Sequence, residues 1–532
     1  MIAEIKYFLK HTAIYSISNV LTKAAGFFLI PLYTNSTYLS PADFGLFGII
    51  DISLTIAAEI LTLGQGNSIL MFGNSDEYRG KQNSSFFTVT IFVSLCALII
   101  FSILLIFTPV IASLFSHPVF YAKLLRWSGM IVFFRIVNNI LLSKLRADEE
   151  SGLYTTTNSV KIVLSLLLTI YFLVELKLGV QGILYAYFIA EIAGFLIVLP
   201  RTIHTLFKPI RIKTSANVEN VKFDKNLMWS ALKFGFPLAL ATIGSMALNL
   251  SDRYVLKFFT DFKTVAIYDL GYRIAGVLNM FIIIPFSLTL LPVAFKVYGT
   301  KGDKRYYTKM LTYLTFVLVW LGLAQSLLSE EFIRFFTSNP LFKLSYPVVP
   351  IVTFAYIFSG TRLVTSLGLY FSKKTRYVAL AVVLASVINI VLNFIFIPKY
   401  GMIAAAYNTL FAFIFFHYFV QFMANKDYYI PFENWKIIKA ILVGCLLFLI
   451  VYFIKFDNFW IKFSAKIFAI CIYPVLLYIF NFYEKQEIKS LKSLFKKWSK
   501  PSKLMENLSN LSSTIGISEE TSIDEDIHDS NN

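Results

Sequence analysis

The chain has 532 residues, of which 57% are hydrophobic and only 15% charged, against about 25% charged in a soluble globular chain. That balance excludes a soluble enzyme or binding domain and predicts a polytopic membrane protein. The net charge of +17 does not point to nucleic acid, because the Lys and Arg residues fall in short loops between apolar runs rather than in a basic patch with interleaved aromatics.

The first apolar run, residues 12–33, is too long for a signal-peptide h-region, lacks a small-residue cleavage site and is followed by many more runs. About 20 apolar residues cross a bilayer core. On that scale about 14 spans are expected, near 12–33, 45–71, 84–108, 119–142, 156–175, 180–200, 229–258, 264–296, 308–329, 346–371, 376–397, 402–423, 436–455 and 461–482. None alternates like a strand, and lipid requires backbone groups to be satisfied within the segment, so an all-α integral membrane protein is expected.

The widest loop, 201–228, is basic and falls between the sixth and seventh runs. It divides the chain into a six-helix lobe over 1–200, a cytoplasmic linker over 201–228, a second six-helix lobe over 229–425, and two additional helices over 426–483. Lys and Arg gather before the first span, near Arg79 and Lys144, and in 201–228, 296–309, 373–376, 426–439 and the tail. These are alternate loops, so both termini are expected in the cytoplasm. The halves echo each other: SVKIVLSLLL from Ser159 matches SVINIVLNFIF from Ser386, and the following runs pair Gly179 with Gly401 and Tyr185 with Tyr407. Two repeats place a binding site at their interface near mid-membrane; chance similarity between apolar strings is the alternative. Ile488, Leu491, Leu494, Phe495 and Trp498 fall on one face of a basic helix expected over 484–504, lying on the inner leaflet. The acidic, Ser- and Asn-rich stretch 505–532 is expected to be disordered.

No enzyme signature is present. The chain has no phosphate-binding Gly-x-x-x-x-Gly-Lys-Ser/Thr loop, no His-Glu-x-x-His and no Asp-rich cluster, so neither cofactor nor metal is expected. Cys96, Cys445 and Cys471 lie in separate apolar runs and offer no disulfide framework. Of the five dispersed histidines, His417 lies within a span, as a hydrogen-bonded packing residue or a proton site; His528 is expected to be solvated.

Buried charge is the stronger signal. Lys23, Arg135, Lys161, Arg253, Arg273 and Arg362 interrupt otherwise apolar spans. A cation in hydrocarbon costs a few kcal/mol, so it faces a water-filled cavity or a partner. With the assigned orientation, Arg253 and Arg273 lie toward the outer side, Lys23 near the middle, and Arg135, Lys161 and Arg362 toward the inner side. Facing one cavity, they form a cationic ladder. Arginine forks match phosphate oxygens and lysine adds a mobile point charge, so the ladder suits a phosphate or diphosphate cargo. For Arg253, beside Asp252, an ion pair or snorkelling competes with that reading, and Lys161 has a snorkelling alternative. Asp51, Glu59, Glu191 and Asp269 are membrane acids that either neutralise the ladder or carry a coupling H+ or Na+.

Pro31, Pro237, Pro285, Pro292, Pro347 and Pro350 punctuate the spans. Each removes a helix hydrogen bond, which marks Pro31, Pro237 and Pro285 as candidate hinges. Asn138, Asn139, Asn249, Asn389, Asn393, Tyr185 and Tyr407 offer hydrogen bonds to sugar hydroxyls or between helices.

Several stretches resemble bacterial polysaccharide flippases: GFFLIPLYTNSTYLSPADFGLFGIID, LKFGFPLALATIGSMALNLSDRYVLKFF, AIYDLGYRIAG and SVINIVLNFIFIPKYGMIAAAYNTL. These are the O-antigen and capsule-type members of the multidrug/oligosaccharidyl-lipid/polysaccharide exporter superfamily, which also holds the lipid II flippase. The resemblance spans roughly residues 8–425 and rests mostly on Gly, Pro and aromatic positions. It implies a V-shaped bundle of two six-span lobes around a cationic cavity in the bacterial inner membrane. The implied cargo is an undecaprenyl-diphosphate-linked oligosaccharide moved to the outer leaflet by alternating access, with other polysaccharide-assembly proteins as possible partners. A lipid II flippase fits nearly as well. A multidrug exporter is disfavoured, since a cavity for cationic drugs would be dominated by acids. A membrane glycan polymerase is disfavoured because the longest loop lies on the inner side.

Overall fold

The computed structural model describes residues 26–78, 80–113, 117–207, 221–454 and 458–484. Lys23 and most of the expected first span lie outside these residues, as do the centre of the 201–228 linker, all but the first residue of the expected basic helix, and the acidic tail.

Among the described residues the regular structure is helical. In chain order the first helices are α1 (Ile30–Tyr33), α2 (Pro41–Thr62), α3 (Gln65–Asn74), α4 (Gln82–Ser113), α5 (Pro118–Ala147), α6 (Ser151–Val174), α7 (Gly179–Phe207) and α8 (Lys225–Phe259). They are followed by α9 (Phe262–Leu278), α10 (Ile284–Val297), α11 (Asp303–Phe336), α12 (Val348–Thr365), α13 (Leu367–Phe371), α14 (Arg376–Asp427), α15 (Asn434–Phe453) and α16 (Phe459–Ile479). Among the described residues, twelve stretches are long and apolar enough to cross a membrane, one of them running through α9 and α10 without interruption.

Local chemistry sets the helix ends. Ser40 caps α2 by accepting from the Asp43 backbone N–H, with Pro41 in the first turn. Asp224, Asp261 and Asn458 cap α8, α9 and α16 in the same way. α4 faces outward, with Leu95, Ile99, Ile103, Ile106 and Val110 exposed along it, as a lipid-facing helix requires. In contrast, α9 buries Val265, Ala266, Tyr268, Leu270 and Ala275 and forms the centre of the largest core cluster.

The structure departs from the sequence reading at the second expected span. The run expected as one span over 45–71 is two helices. Leu63 and Gly64 adopt left-handed backbone (φ 52° and 68°) and break it, which lets the chain pass the backbone of α8. There a Cβ on Gly64 would lie 2.2 Å from the Gly235 carbonyl oxygen. In α14, which runs 52 residues, non-helical backbone at Gly401 (φ 58°) separates two helices that correspond to the expected spans 376–397 and 402–423. Gly179, at the start of α7, has nearly the same φ of 56°. The pair matched by sequence thus shares a positive φ.

The two halves touch at both ends of the bundle. At one end α2 lies so close to α9 that a Cβ on Gly45 would stand 1.7 Å from the Phe262 carbonyl oxygen. At the other, Gln65 and Ser68 of α3 donate to the Ala231 carbonyl of α8, at 3.4 and 2.8 Å. The last two helices dock on α11. Trp320 donates to the Ile470 carbonyl (2.9 Å), and Lys466, 1% exposed, bonds Glu331 at 2.6 Å and Glu330 at 3.3 Å. At the far end of α11, Lys309 bonds both Glu433 and Glu484. The Lys309 hydrogen bond first, then the charges of Lys309, Lys436 and Arg305, hold the Glu484 carboxyl below its usual range despite some burial.

Gly45→Val should lower the melting temperature of the purified protein, because overpacking costs about 1–3 kcal/mol. Gly48→Ala should leave it nearly unchanged, since a Cβ there meets Asp269 at an ordinary 3.6 Å; equal losses would contradict the α2–α9 approach. The lowered Glu484 group contributes stability that is present above about pH 4.5 and lost as pH falls through its lower folded-state value. Protease sensitivity near residue 484 should therefore rise on acidification below that point, and Glu484→Gln should remove the pH step.

Candidate functional site

A cavity of about 610 Å³ opens between the halves. Its wall combines α1 (Ile30, Tyr33), α2 (Asp51, Thr55), α5 (Arg135, Asn139), α6 (Asn158, Lys161), α7 (Tyr187, Glu191), α9 (Tyr272, Arg273) and α12 (Tyr356). Helical spacing produces the lining. Asp51 and Thr55 are one turn apart on α2, as are Tyr187 and Glu191 on α7. Next to Arg273, α9 widens into a π-helical turn at Asn279–Ile283, and Asn279 and Met280 also reach the cavity.

Three of the six cations singled out from sequence, Arg135, Lys161 and Arg273, line this space, and each has an acidic partner. Arg135 Nε lies 3.2 Å from Glu191 Oε1, and Lys161 Nζ lies 2.6 Å from Glu191 Oε2. Asn138 donates to the same carboxylate (2.8 Å) and to the Glu191 backbone carbonyl. Arg273 Nε donates to Asp269 at 2.6 Å, and its Nη2 lies a looser 3.8 Å from Asp51 across the halves.

Arg253 is walled off behind this surface. It is 2% exposed, bonds Asp252 at 2.8 Å and Asp269 at 3.3 Å, and stacks 3.8 Å from the Tyr272 ring centroid. Asp252 also accepts from Tyr268. Beyond it a buried chain of Thr409, Asn389, Asn393 and Asn408 ties α8 to α14. Four cations thus face four carboxylates: Arg135, Lys161, Arg253 and Arg273 against Asp51, Glu191, Asp252 and Asp269.

Arg362 lies elsewhere. It is on α12, 4.1 Å from the Phe416 ring centroid, with its Nε buried and without a hydrogen-bond partner among the described residues. Neighbouring His417 is hydrogen-bonded to Thr361 (3.2 Å). Glu59, two turns past Asp51 on α2, lies off the cavity wall and has no ion pair among the described residues. Among the candidate hinges, Pro237 lies inside α8 beside the Gly64–Gly235 approach, whereas Pro31 and Pro285 are in first helical turns. Tyr185 packs on Trp127 and Tyr407 is 56% exposed, so neither reaches the cavity. Sequence reasoning missed Tyr33, Tyr187, Tyr272 and Tyr356; the readable signal was adjacency, since Tyr187 precedes Glu191 by one turn and Tyr272 precedes Arg273. It also missed Lys466, hidden in a run treated as plain.

The model of the family described as polysaccharide biosynthesis protein matches residues 8–298. The uncharacterized membrane protein MJ1068 of Methanocaldococcus jannaschii is 26% identical over 291 residues, covering 51% of this chain and 55% of that protein. The chain therefore matches about half the length of this curated relative. Among solved structures, a lipid II flippase MurJ in an inward closed conformation superposes with a TM-score of 0.68 at 18% identity, covering 88% of this chain and 99% of that one. An inward-facing MATE family multidrug resistance transporter of the MOP superfamily superposes at 0.58 with 15% identity, covering 77% and 95%. At such identities these likenesses show a shared fold.

Because removing one partner of a buried ion pair costs about 3–5 kcal/mol, Arg253→Met should destabilise the protein strongly by stranding Asp252 and Asp269. Arg362→Met strands no acid and should cost far less. Chemical denaturation of the two purified variants reads the difference, and equal losses would contradict the assignment of Arg253 to a structural pair.

Proposed function

The chain belongs to the polysaccharide biosynthesis protein family, and on that premise we propose that it is a flippase. Its cargo is an undecaprenyl-diphosphate-linked oligosaccharide, moved from the cytoplasmic to the outer leaflet of the bacterial inner membrane. The observation that carries this reading is the cavity lined by Arg135, Lys161 and Arg273 in the middle of an apolar bundle. A diphosphate headgroup needs a hydrated cationic passage, whereas a polyprenyl tail stays in lipid. Guanidinium forks suit phosphate oxygens, and the tyrosine hydroxyls with Asn139, Asn158 and Asn279 offer hydrogen bonds to sugar.

Movement would follow from the contacts at each end. Lobes over 1–200 and 229–425 rock so that the Gly45–Phe262 approach opens while the Gly64–Gly235 approach stays closed, and then the reverse. Asp51, loosely held by Arg273, is suited to carry a coupling H+ or Na+. A lipid II-type cargo is the second reading. It is favoured by the superposition on the lipid II flippase fold and by the same diphosphate chemistry. A cationic drug fits less well, because three cations outnumber the two carboxylates, Asp51 and Glu191, in the wall.

The full-length protein in proteoliposomes, offered undecaprenyl-diphosphate oligosaccharide and lipid II separately, decides between these cargoes. We expect flipping of the oligosaccharide carrier, lowered at least about tenfold by Arg135→Ala or Arg273→Ala, the factor of 1.4 kcal/mol that one charge-assisted contact supplies. Flipping of lipid II alone would select the second reading, and flipping indifferent to both substitutions would falsify the cationic passage.

A further inference from the structure

Glu191 occupies the place an anionic cargo would take. Glu191 is 5% exposed, and its carboxylate is gripped on one oxygen by Arg135 and on the other by Lys161 and Asn138. A guanidinium and an ammonium closing on two oxygens of one group is also how such side chains hold a phosphate. Arg135 uses only Nε for this contact, and its terminal nitrogens have no hydrogen bond among the described residues. The cations of the cavity are therefore occupied by the chain's own acid.

The second half indicates that this acid is not needed to build the wall. The offset that relates Gly179 to Gly401 and Tyr185 to Tyr407 relates Glu191 to Phe413. Phe413 is buried against Tyr356, with ring centroids 6.2 Å apart. Nearby on α12, Arg362 stacks on Phe416, with no carboxylate paired to it among the described residues. One half thus packs an aromatic ring where the other keeps a carboxylate between two cations.

We propose that Glu191 is an exchangeable internal counter-ion, displaced from Arg135 and Lys161 when a diphosphate enters and returning when it leaves. The proposal rests on the reading of the cavity as a diphosphate site. Arg135 and Asn138 face Glu191 from α5 and Lys161 faces it from α6, while Asp51 and Arg273 complete the charged wall from α2 and α9. A buried carboxylate that loses both cations to an incoming anion cannot stay charged beside it, so it takes a proton from the water of the cavity. On release the phosphate leaves, the proton returns to water and the ion pairs re-form. The exchange keeps the cavity close to neutral in both states and gives the cargo a competitor that promotes its departure.

Isothermal titration of inorganic pyrophosphate into the full-length protein in phosphatidylcholine nanodiscs, in two buffers of different ionisation enthalpy, tests this. Wild type should take up about one proton more per bound pyrophosphate than Glu191→Gln. Glu191→Gln should bind pyrophosphate about tenfold tighter, having lost its internal competitor, yet flip cargo more slowly. Equal or weaker binding by Glu191→Gln, or the same proton uptake, would overturn the exchange. If Glu191→Gln does not fold, Glu191→Asp, whose shorter side chain retracts from Arg135, should shift affinity in the same direction. Arg135→Ala separates the two layers of the account. If wild-type binding does not depend on Arg135, the diphosphate cavity fails and the exchange with it; dependence on Arg135 without a gain in Glu191→Gln sinks the exchange alone.

Discussion

A positive charge inside a bilayer persists only where something neutralises or hydrates it. That constraint shapes the centre of this protein. Arg253 is held by Asp252 and Asp269, Arg273 by Asp269 and Asp51, and Arg135 and Lys161 share Glu191. These pairs join α2, α5, α6, α7, α8 and α9, so the electrostatic requirement of each arginine also fixes where the helices meet. Lys466 meets the same requirement with Glu330 and Glu331 and fastens the last helix to α11.

The pairs differ in how freely they can be broken, and that difference separates scaffold from site. Arg253 is buried on all sides, backed by Tyr268, Tyr272 and the asparagine chain of α14, and losing it would strand two acids. The side chains of Arg135, Lys161 and Arg273, which line the cavity, retain 16–26% exposure. Arg273 reaches Asp51 only at 3.8 Å. On the proposed reading, contacts of this kind are the ones exchanged for contacts to an incoming anion, and the Arg253 pair behind them stays closed.

Much of the fold was legible because bilayer thickness imposes a minimum apolar length on every spanning helix. The break at Gly401 was legible and the one at Gly64 was passed over: the run over 45–71 was read as one span although Gly64, Gln65, Gly66, Asn67 and Ser68 interrupt its apolar character, and there the chain passes the Gly235 carbonyl. For the site, composition within each span flagged the unusual residues, and adjacency of Asp252 to Arg253 signalled an ion pair. Sequence could not separate Arg135 from Arg362, both arginines inside comparable apolar runs. Which one meets the cavity depends on helix rotation and on the facing residue, Glu191 in one half and Phe416 in the other. The lining tyrosines escaped notice because an aromatic residue in a membrane span is ordinary until its neighbours across the cavity are known.

The central claim is that the cavity cations hold the phosphates of a lipid-linked glycan. The most direct measurement is a cryo-electron-microscopy structure of the full-length protein loaded with undecaprenyl-diphosphate oligosaccharide. The account predicts phosphorus density within hydrogen-bond reach of Arg135 and Arg273, sugar density along Tyr33, Tyr187 and Tyr356, and the lipid tail leaving the bundle. Density bound elsewhere, with Arg135 and Lys161 still closed on Glu191, would contradict it.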